Sequence, residues 1–194
     1  MIRVSVIIPT LGRTCLPRTV LSALAAMGPE DELLVVADGP SQAARLMMAE
    51  LYDPRTRYLE TVVTHHIGTE QLDLGSEVAT GDWLMFLPDD DLLPKDAVEI
   101  VKKAVEGRPG VHVFACNMIH WGVVLKYSMV YSSVTGNQIV VPRLPFRAKW
   151  ADNPNYGADH TYLMNALKLW GQDEPIYHDE VIAIADQENK GRMM

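Results

Sequence analysis

The stretch TGDWLMFLPDDDLLP, Thr80 to Pro94, constrains the fold more than any other part of the chain. It opens on a Gly-Asp turn, and Trp83-Leu84-Met85-Phe86-Leu87 then reads as a short, fully buried strand. The strand runs into three consecutive carboxylates, Asp89, Asp90 and Asp91, before Leu92-Leu93-Pro94 and a helix. Adjacent anions repel one another unless a cation or strong donors sit among them. Open α/β sheets place ligands outside the carboxyl ends of their strands. Aspartate oxygens suit a hard divalent ion such as Mg2+ or Mn2+, and Mg2+ commonly arrives with phosphates. The same run also suits a solvated loop that caps the following helix, since Asp is favoured at helix N-termini. A calcium loop starting at Asp89 is excluded, because it needs Gly at 94 and Glu at 100, where the chain has Pro94 and Ile100.

On either side of this stretch, strands and helices alternate at short spacing. Residues 3–9 form a strand on the β-branched, apolar Val4, Val6, Ile7 and Ile8, closed by Pro9, and Leu16 to Met27 carry apolar residues at helical spacing. Residues 32–37 form a second buried strand, stopped by Asp38-Gly39-Pro40. Residues 41–52 read as a helix, 57–64 as a third strand, 65–75 as a loop or helix entry, 76–79 as a short helix and 95–106 as an amphipathic helix. This predicts an α/β fold with a mostly parallel central sheet flanked by helices. After Gly110 the texture changes to a smaller β-hairpin region, with strands expected at 111–117, 121–131 and 138–141. A basic loop at 142–150, a helix at 159–170 and a last strand at 181–185 follow. The expected organisation is one domain over 1–194, with a first half (1–110), a second half (111–185) and a tail (186–194).

At 194 residues the chain is long enough for one sizeable core. Its 48% hydrophobic and 22% charged content is that of an ordinary globular protein. No apolar run approaches the ~20 residues of a membrane span, and no signal-peptide pattern opens the chain. Cys15 and Cys116 form no CxxC pair, so neither a disulfide framework nor a zinc knuckle is expected, and a cytoplasmic setting fits. The net charge of −8 disfavours tracking a nucleic-acid backbone. It leaves room for an acidic protein that holds nucleotide phosphates through a metal.

Four segments together resemble glycosyltransferase family 2, nucleotide-sugar enzymes of the GT-A fold. VSVIIPTLGR at 4–13 is similar to the family's opening strand and loop, and LLVVADGP at 33–40 to its second strand. ATGDWLMFLPDDDLLP at 79–94 resembles the strand that carries the metal-binding DxD motif. NYGADHTYLMNAL at 155–167 resembles the segment that supplies a catalytic base. The resemblance covers roughly residues 2–185, and the order and spacing of the four pieces are more specific than any one of them. Three departures stand out. Leu72-Asp73 replaces an Arg-Asn pair, Pro88 replaces a first aspartate, and the "ED" pair reads Ala158-Asp159.

The resemblance implies a metal-dependent transfer of a sugar from a nucleoside-diphosphate donor, with UDP the expected nucleotide, to an acceptor hydroxyl with inversion. It places Asp91 on the metal, Asp89 on metal or donor ribose, and Asp90 on the donor. Asp38, on the base or ribose, would share a pocket with Pro9, Thr10, Leu11 and Arg13, and Asp73 falls on the nucleotide side. Asp38 also reads as a plain Asp-Gly turn. Asp159 would take the acceptor proton, and it also reads as a helix N-cap. His178 is a candidate third metal ligand, although a lone histidine is more often structural. Arg143, Arg147 and Lys149 read as a phosphate-ordered lid or a solvated basic loop, and Trp150 and Tyr156 as acceptor platforms or core. The short chain suggests a soluble glycan or other hydroxyl acceptor, or a soluble partner enzyme. Two rival readings keep the early sheet. A non-catalytic sugar-nucleotide or glycan-binding module would have lost acids that this chain keeps. A sugar-phosphate nucleotidylyltransferase would carry a Gly-rich phosphate loop after strand one, and neither GxGxxG nor GxxxxGK[ST] occurs.

Overall fold

The first strand, β1 (Val4–Thr10), becomes the centre of the sheet because both of its faces are apolar. Strand side chains alternate, so Val4, Val6 and Ile8 join one core while Ile7 joins the other. The computed structural model describes residues 1–63, 68–127, 134–144, 148–153, 155 and 157–186. β1 is followed by α1 (Leu16–Ala26), β2 (Glu32–Ala37), α2 (Gln42–Glu50), β3 (Thr56–Glu60) and α3 (Thr69–Val78). Next come β4 (Trp83–Phe86), α4 (Ala97–Val105), β5 (His112–Met118), β6 (Val123–Leu125) and β7 (Ile139–Pro142). The chain closes on α5 (Ala158–Trp170) and β8 (Ile176–Ala185). Three 3-10 turns, Ile119–Trp121, Gly136–Gln138 and Trp150–Asp152, lie in the second half.

All eight strands share one sheet in the order β3-β2-β1-β4-β7-β5-β6, with β8 beside β5. β3, β2, β1 and β4 are parallel, β7 runs antiparallel between β4 and β5, and β8 is parallel to β5. The core is thus mostly parallel with helices on both sides, as the strand–helix alternation predicts. Residues of α1, α2 and α4 pack in one core, and those of α3 and α5 in the other. The chain moves outward from β1 through β2 to β3, then crosses back to β4 on the other flank. That reversal opens a crevice at the carboxyl ends of β1 and β4, where doubly wound sheets hold ligands.

Three elements differ from the sequence expectation. α3 begins at Thr69, well before the expected 76–79 helix, and its buried face includes Gln71, Leu72, Gly75 and Ser76. Gly75 reads as a breaker but serves close packing, since a methyl there would overlap Ile7 Cγ2. The expected 121–131 strand reduces to β6 after the Ile119–Trp121 turn, and 128–133 lie outside the described residues. β8 starts at Ile176, five residues before the expected strand. Its polar opening, Tyr177 to Glu180, and the register irregularities of β5 opposite Tyr177–Ala183 hide the strand period.

Candidate active site

The acidic run sits at the β1–β4 crevice, and its three aspartates diverge. Thr10 ends β1 and donates its hydroxyl to Asp89 Oδ2 at 2.6 Å, while Thr19 Oγ1 on α1 donates to the Asp89 carbonyl at 2.8 Å. Arg13 pairs its Nη2 with Asp89 Oδ1 and reaches Asp90 Oδ2 with Nη1 at 3.1 Å. Burial pushes the Asp89 carboxyl up, against the hydrogen bond from Thr10 and the charge of Arg13. Burial also lowers Arg13, but the Asp89 and Asp90 charges outweigh it and raise the guanidinium. The loop that delivers Arg13 turns at Gly12, whose positive φ of 76° favours glycine and whose amide donates to Thr10 Oγ1 at 2.9 Å. Leu11 is 52% exposed beside it, and Pro9 is half-buried. Asp38, half-buried at the end of β2, donates its backbone N–H to the Thr10 carbonyl at 3.0 Å.

Asp91 faces the other way. Its Oδ2 accepts from Asn137 Nδ2 at 2.7 Å and its Oδ1 from the Asp186 backbone N–H at 3.2 Å. Leu92 and Ile184 exchange two backbone hydrogen bonds of 2.9 Å, so the end of β8 braces the acidic loop. Burial pushes the Asp91 carboxyl up to about 7, and the charges of Asp90 and Asp186 add to it. Asp186 is itself paired with Arg18 Nη1 at 2.6 Å.

Among the described residues no three His, Cys, Asp or Glu side chains come together to hold a metal ion. Asp91, with Asp90 in place of the expected Asp89, whose oxygens Thr10 and Arg13 already engage, nevertheless suits a hard divalent ion. Both acids supply oxygen ligands, and a cation would offset both the burial that chiefly raises the Asp91 carboxyl and the smaller repulsion from Asp90 and Asp186. One or two carboxylates, completed by substrate phosphates, is the usual manner of holding Mg2+.

Asp159 lies in the first turn of α5, where the N-cap position belongs to Gly157 and no side chain caps the helix. The capping alternative therefore falls away. A methyl group on Gly136 would come 3.1 Å from Asp159 Oδ1 and 3.2 Å from Trp150 Cη2, so the carboxylate is enclosed against that turn. Burial pushes it up to about 6, opposed by a backbone hydrogen bond from Gly136.

Four sequence assignments are corrected by these surroundings. His178 opens β8 away from the acids: Tyr177 pairs with Val113 and Ile184 with Asn117, four residues along β5, which sets it roughly 13 Å from the strand end that braces the acidic loop at ~3.3 Å per residue. There it is buried and stacked on Phe114 with 4.3 Å between ring centres. His112 Nε2 faces the Arg108 carbonyl at 2.8 Å, which can only accept. His112 Nδ1 must then accept from His178 Nε2–H at 2.8 Å, which commits that nitrogen to the core. Asp73 accepts from the backbone N–H groups of Trp150 and Ala151 at 2.8 and 3.1 Å, so it secures that turn rather than a nucleotide. Arg143 donates Nε to the Gly81 carbonyl at 2.7 Å, ahead of β4 and at the opposite edge from the acids, so it is no lid residue. Trp150 is 1% exposed and stacks on Tyr162 with ring centres 4.0 Å apart, which makes it core rather than platform. Lys149 is exposed, and Arg147 and Tyr156 lie outside the described residues. Sequence reasoning missed Asn137, Asp186 and Gly136. The Gly-Asn pair signals a turn, but nothing local signals which carboxylate it meets.

A family model described as Glycosyl transferase family 2 matches residues 5–162. An uncharacterized glycosyltransferase of Haemophilus influenzae is 26% identical over 125 residues, 61% of this chain and 41% of that protein. S. aureus TarS is similar in structure with a TM-score of 0.72 at 14% identity, across 94% of this chain and 36% of TarS. TarS 1–349 in complex with UDP gives 0.73 at 14% identity, and its complex with UDP-GlcNAc gives 0.69 at 15%. Each match covers 94% of this chain, with 60% and 58% of the TarS chain respectively. The chain thus spans less than two thirds of the length of the proteins it matches.

Proposed function

Because the chain belongs to glycosyl transferase family 2, we propose that it moves a sugar from a nucleoside-diphosphate donor to an acceptor hydroxyl, with Asp159 as the general base. One observation carries this reading. The donor-side acid Asp91 and the base Asp159 both meet the same three-residue turn, Gly136–Gln138, beside the sheet's ligand crevice. A base near 6 is largely ionised at neutral pH yet still binds a proton well enough to remove it from a hydroxyl in the transition state. The acceptor oxygen attacks the anomeric carbon as Asp159 takes its proton, and the nucleoside diphosphate leaves from the opposite face. A single displacement of this kind inverts the anomeric centre.

The similarity to TarS in complex with UDP and UDP-GlcNAc favours a UDP-sugar donor. Asp90 and Asp91 would hold Mg2+ or Mn2+, which supplies Lewis-acid neutralisation of the leaving diphosphate. Arg13 opposes the burial that raises Asp89 and steadies Asp90, and Asp38 with the Pro9–Arg13 loop lines the nucleotide side. The organisation proposed is one domain, with residues 1–110 binding the donor and 111–185 the acceptor. Among the described residues no helix is long and apolar enough to cross a membrane.

The test is a panel of nucleotide sugars incubated with the protein and Mn2+, followed by detection of slow donor hydrolysis. Hydrolysis of one UDP-sugar, abolished by EDTA, is the expected result. A protein that binds UDP but hydrolyses no donor would be a binding module, and release of inorganic pyrophosphate from UTP and a sugar phosphate would make it a nucleotidylyltransferase.

A further inference from the structure

The Gly136–Gln138 turn is built more rigidly than a surface connection requires. Thr135 and Gln138 form a reciprocal capping box, with the Thr135 backbone N–H donating to Gln138 Oε1 at 2.9 Å. The Gln138 amide then donates to the Phe114 carbonyl at 2.8 Å and the Leu125 carbonyl at 3.2 Å, which fastens the turn to β5 and β6. Between these anchors lies Asn137, only 3% exposed. Thr135 Oγ1 donates to Asn137 Oδ1 at 2.5 Å, which fixes the amide orientation and leaves Nδ2 to donate to Asp91 Oδ2 at 2.7 Å. The Asn137 amide also lies within reach of the Cys116 thiol in β5. Both ends of the Asn137 amide are therefore engaged, and one of its partners is the donor-side acid.

Gly136 serves the other carboxylate. Its φ is not positive, so the glycine answers to space rather than to backbone conformation. Any side chain would press on Asp159 Oδ1 and the edge of Trp150. Adjacent residues of one braced turn thus touch the two acids that a transfer needs on opposite sides of the reacting carbon.

We infer that the turn Gly136–Gln138 is a positioning element, in which Asn137 aims Asp91 and Gly136 admits Asp159, so that donor site and base are held in one fixed relation. The inference rests on the transferase reading above and goes beyond it by assigning Asn137 and Gly136 separate effects. Residues that orient metal-binding carboxylates typically affect metal affinity by about 10–100-fold. A misplaced base costs turnover rather than binding.

The experiment measures UDP binding by titration calorimetry, with Mn2+ and with EDTA, in wild type, Asn137→Ala and Gly136→Ala. It also measures kcat for hydrolysis of the UDP-sugar that wild type cleaves fastest. Asn137→Ala is expected to raise Kd for UDP in Mn2+ by about 10-fold or more and to leave Kd in EDTA unchanged. Gly136→Ala is expected to keep both Kd values while kcat falls by about 10-fold or more. Damage to the fold alone would move neither constant in the folded fraction, or would weaken binding equally with and without metal. The inference is overturned if Asn137→Ala binds like wild type in Mn2+, if it loses the same affinity in EDTA, or if Gly136→Ala turns over at the wild-type rate. If Gly136→Ala shows no cooperative melt, the Asn137→Ala comparison decides. Wild type that binds UDP equally well with and without Mn2+ refutes the metal reading itself, and the kcat of Gly136→Ala then decides the inference.

Discussion

Replacing Asp159 by asparagine separates catalysis from structure because the two predict opposite signs. The carboxyl is raised from 3.8 to about 6 in the folded protein, chiefly by burial. A carboxyl whose folded value is raised favours the native state below pH 3.8, and that contribution is lost as pH rises through 6. At ~1.4 kcal/mol per pH unit, holding the charge at pH 8 costs up to about 3 kcal/mol. Asparagine removes that cost and keeps an oxygen for the Gly136 N–H. Its new NH2 group, left without a partner, takes back about 1 kcal/mol. The net expectation is a gain of about 1–2 kcal/mol at pH 8, or a few degrees in Tm for a chain of this size. The gain shrinks as pH falls from 6 towards 4. Over the same range transfer should fall ~10²–10⁴-fold, and the wild-type rate should climb with pH to a plateau above about 6. Differential scanning fluorimetry at pH 8 and pH 4.5, beside a pH–rate profile for both proteins, reads all of this. A variant that transfers at the wild-type rate removes Asp159 from the chemistry. A stability gain of equal size at both pH values refutes the burial argument.

Two further predictions concern the scaffold. Gly75→Ala should destabilise by about 1–3 kcal/mol in urea titrations, because the added methyl overlaps Ile7 in a packed core, and an unchanged midpoint would show that α3 shifts freely. His112 is lowered from 6.5 to about 4, mainly by burial, so its contribution is complete above pH 6.5 and is lost as pH falls towards 4. The stability gap between wild type and His112→Gln should therefore narrow from pH 7.5 to pH 5, and a constant gap in urea midpoint would contradict a neutral His112–His178 pair.

The first half was legible because its signals are local. β1 and β2 announce themselves by β-branched runs, and Asp89–Asp91 by three charges where a buried strand ends. α3 was obscured by Gly75, which answers to Ile7 on another element and not to its own neighbours. The pairings that build the second half of the site were beyond sequence reasoning. Asn137 meets Asp91 across 46 residues and Asp186 meets it across 95. No periodicity encodes which amide reaches which acid after strands pair. The same limit explains His178, whose chemistry is decided by a second histidine 66 positions away. Trp150 and Arg143 looked available from composition, yet a stacked ring and a carbonyl ahead of β4 claim them.

The brace between β8 and the acidic loop also sets a clock on biosynthesis. The β1–β4 strands and Asp91 leave the ribosome first, but the backbone amide that steadies Asp91 belongs to a residue made 95 positions later. At ~5–20 residues per second, that leaves Asp91 without this brace for about 5–20 s of every round of translation. A nascent chain in this interval can pair its early strands and hold Asp89 and Asp90 through Thr10, Thr19 and Arg13, while Asp91 still lacks the Asp186 amide. The proposed site is therefore complete only once β8 is made, and a chain that stops before Ile184 is a sheet without that brace.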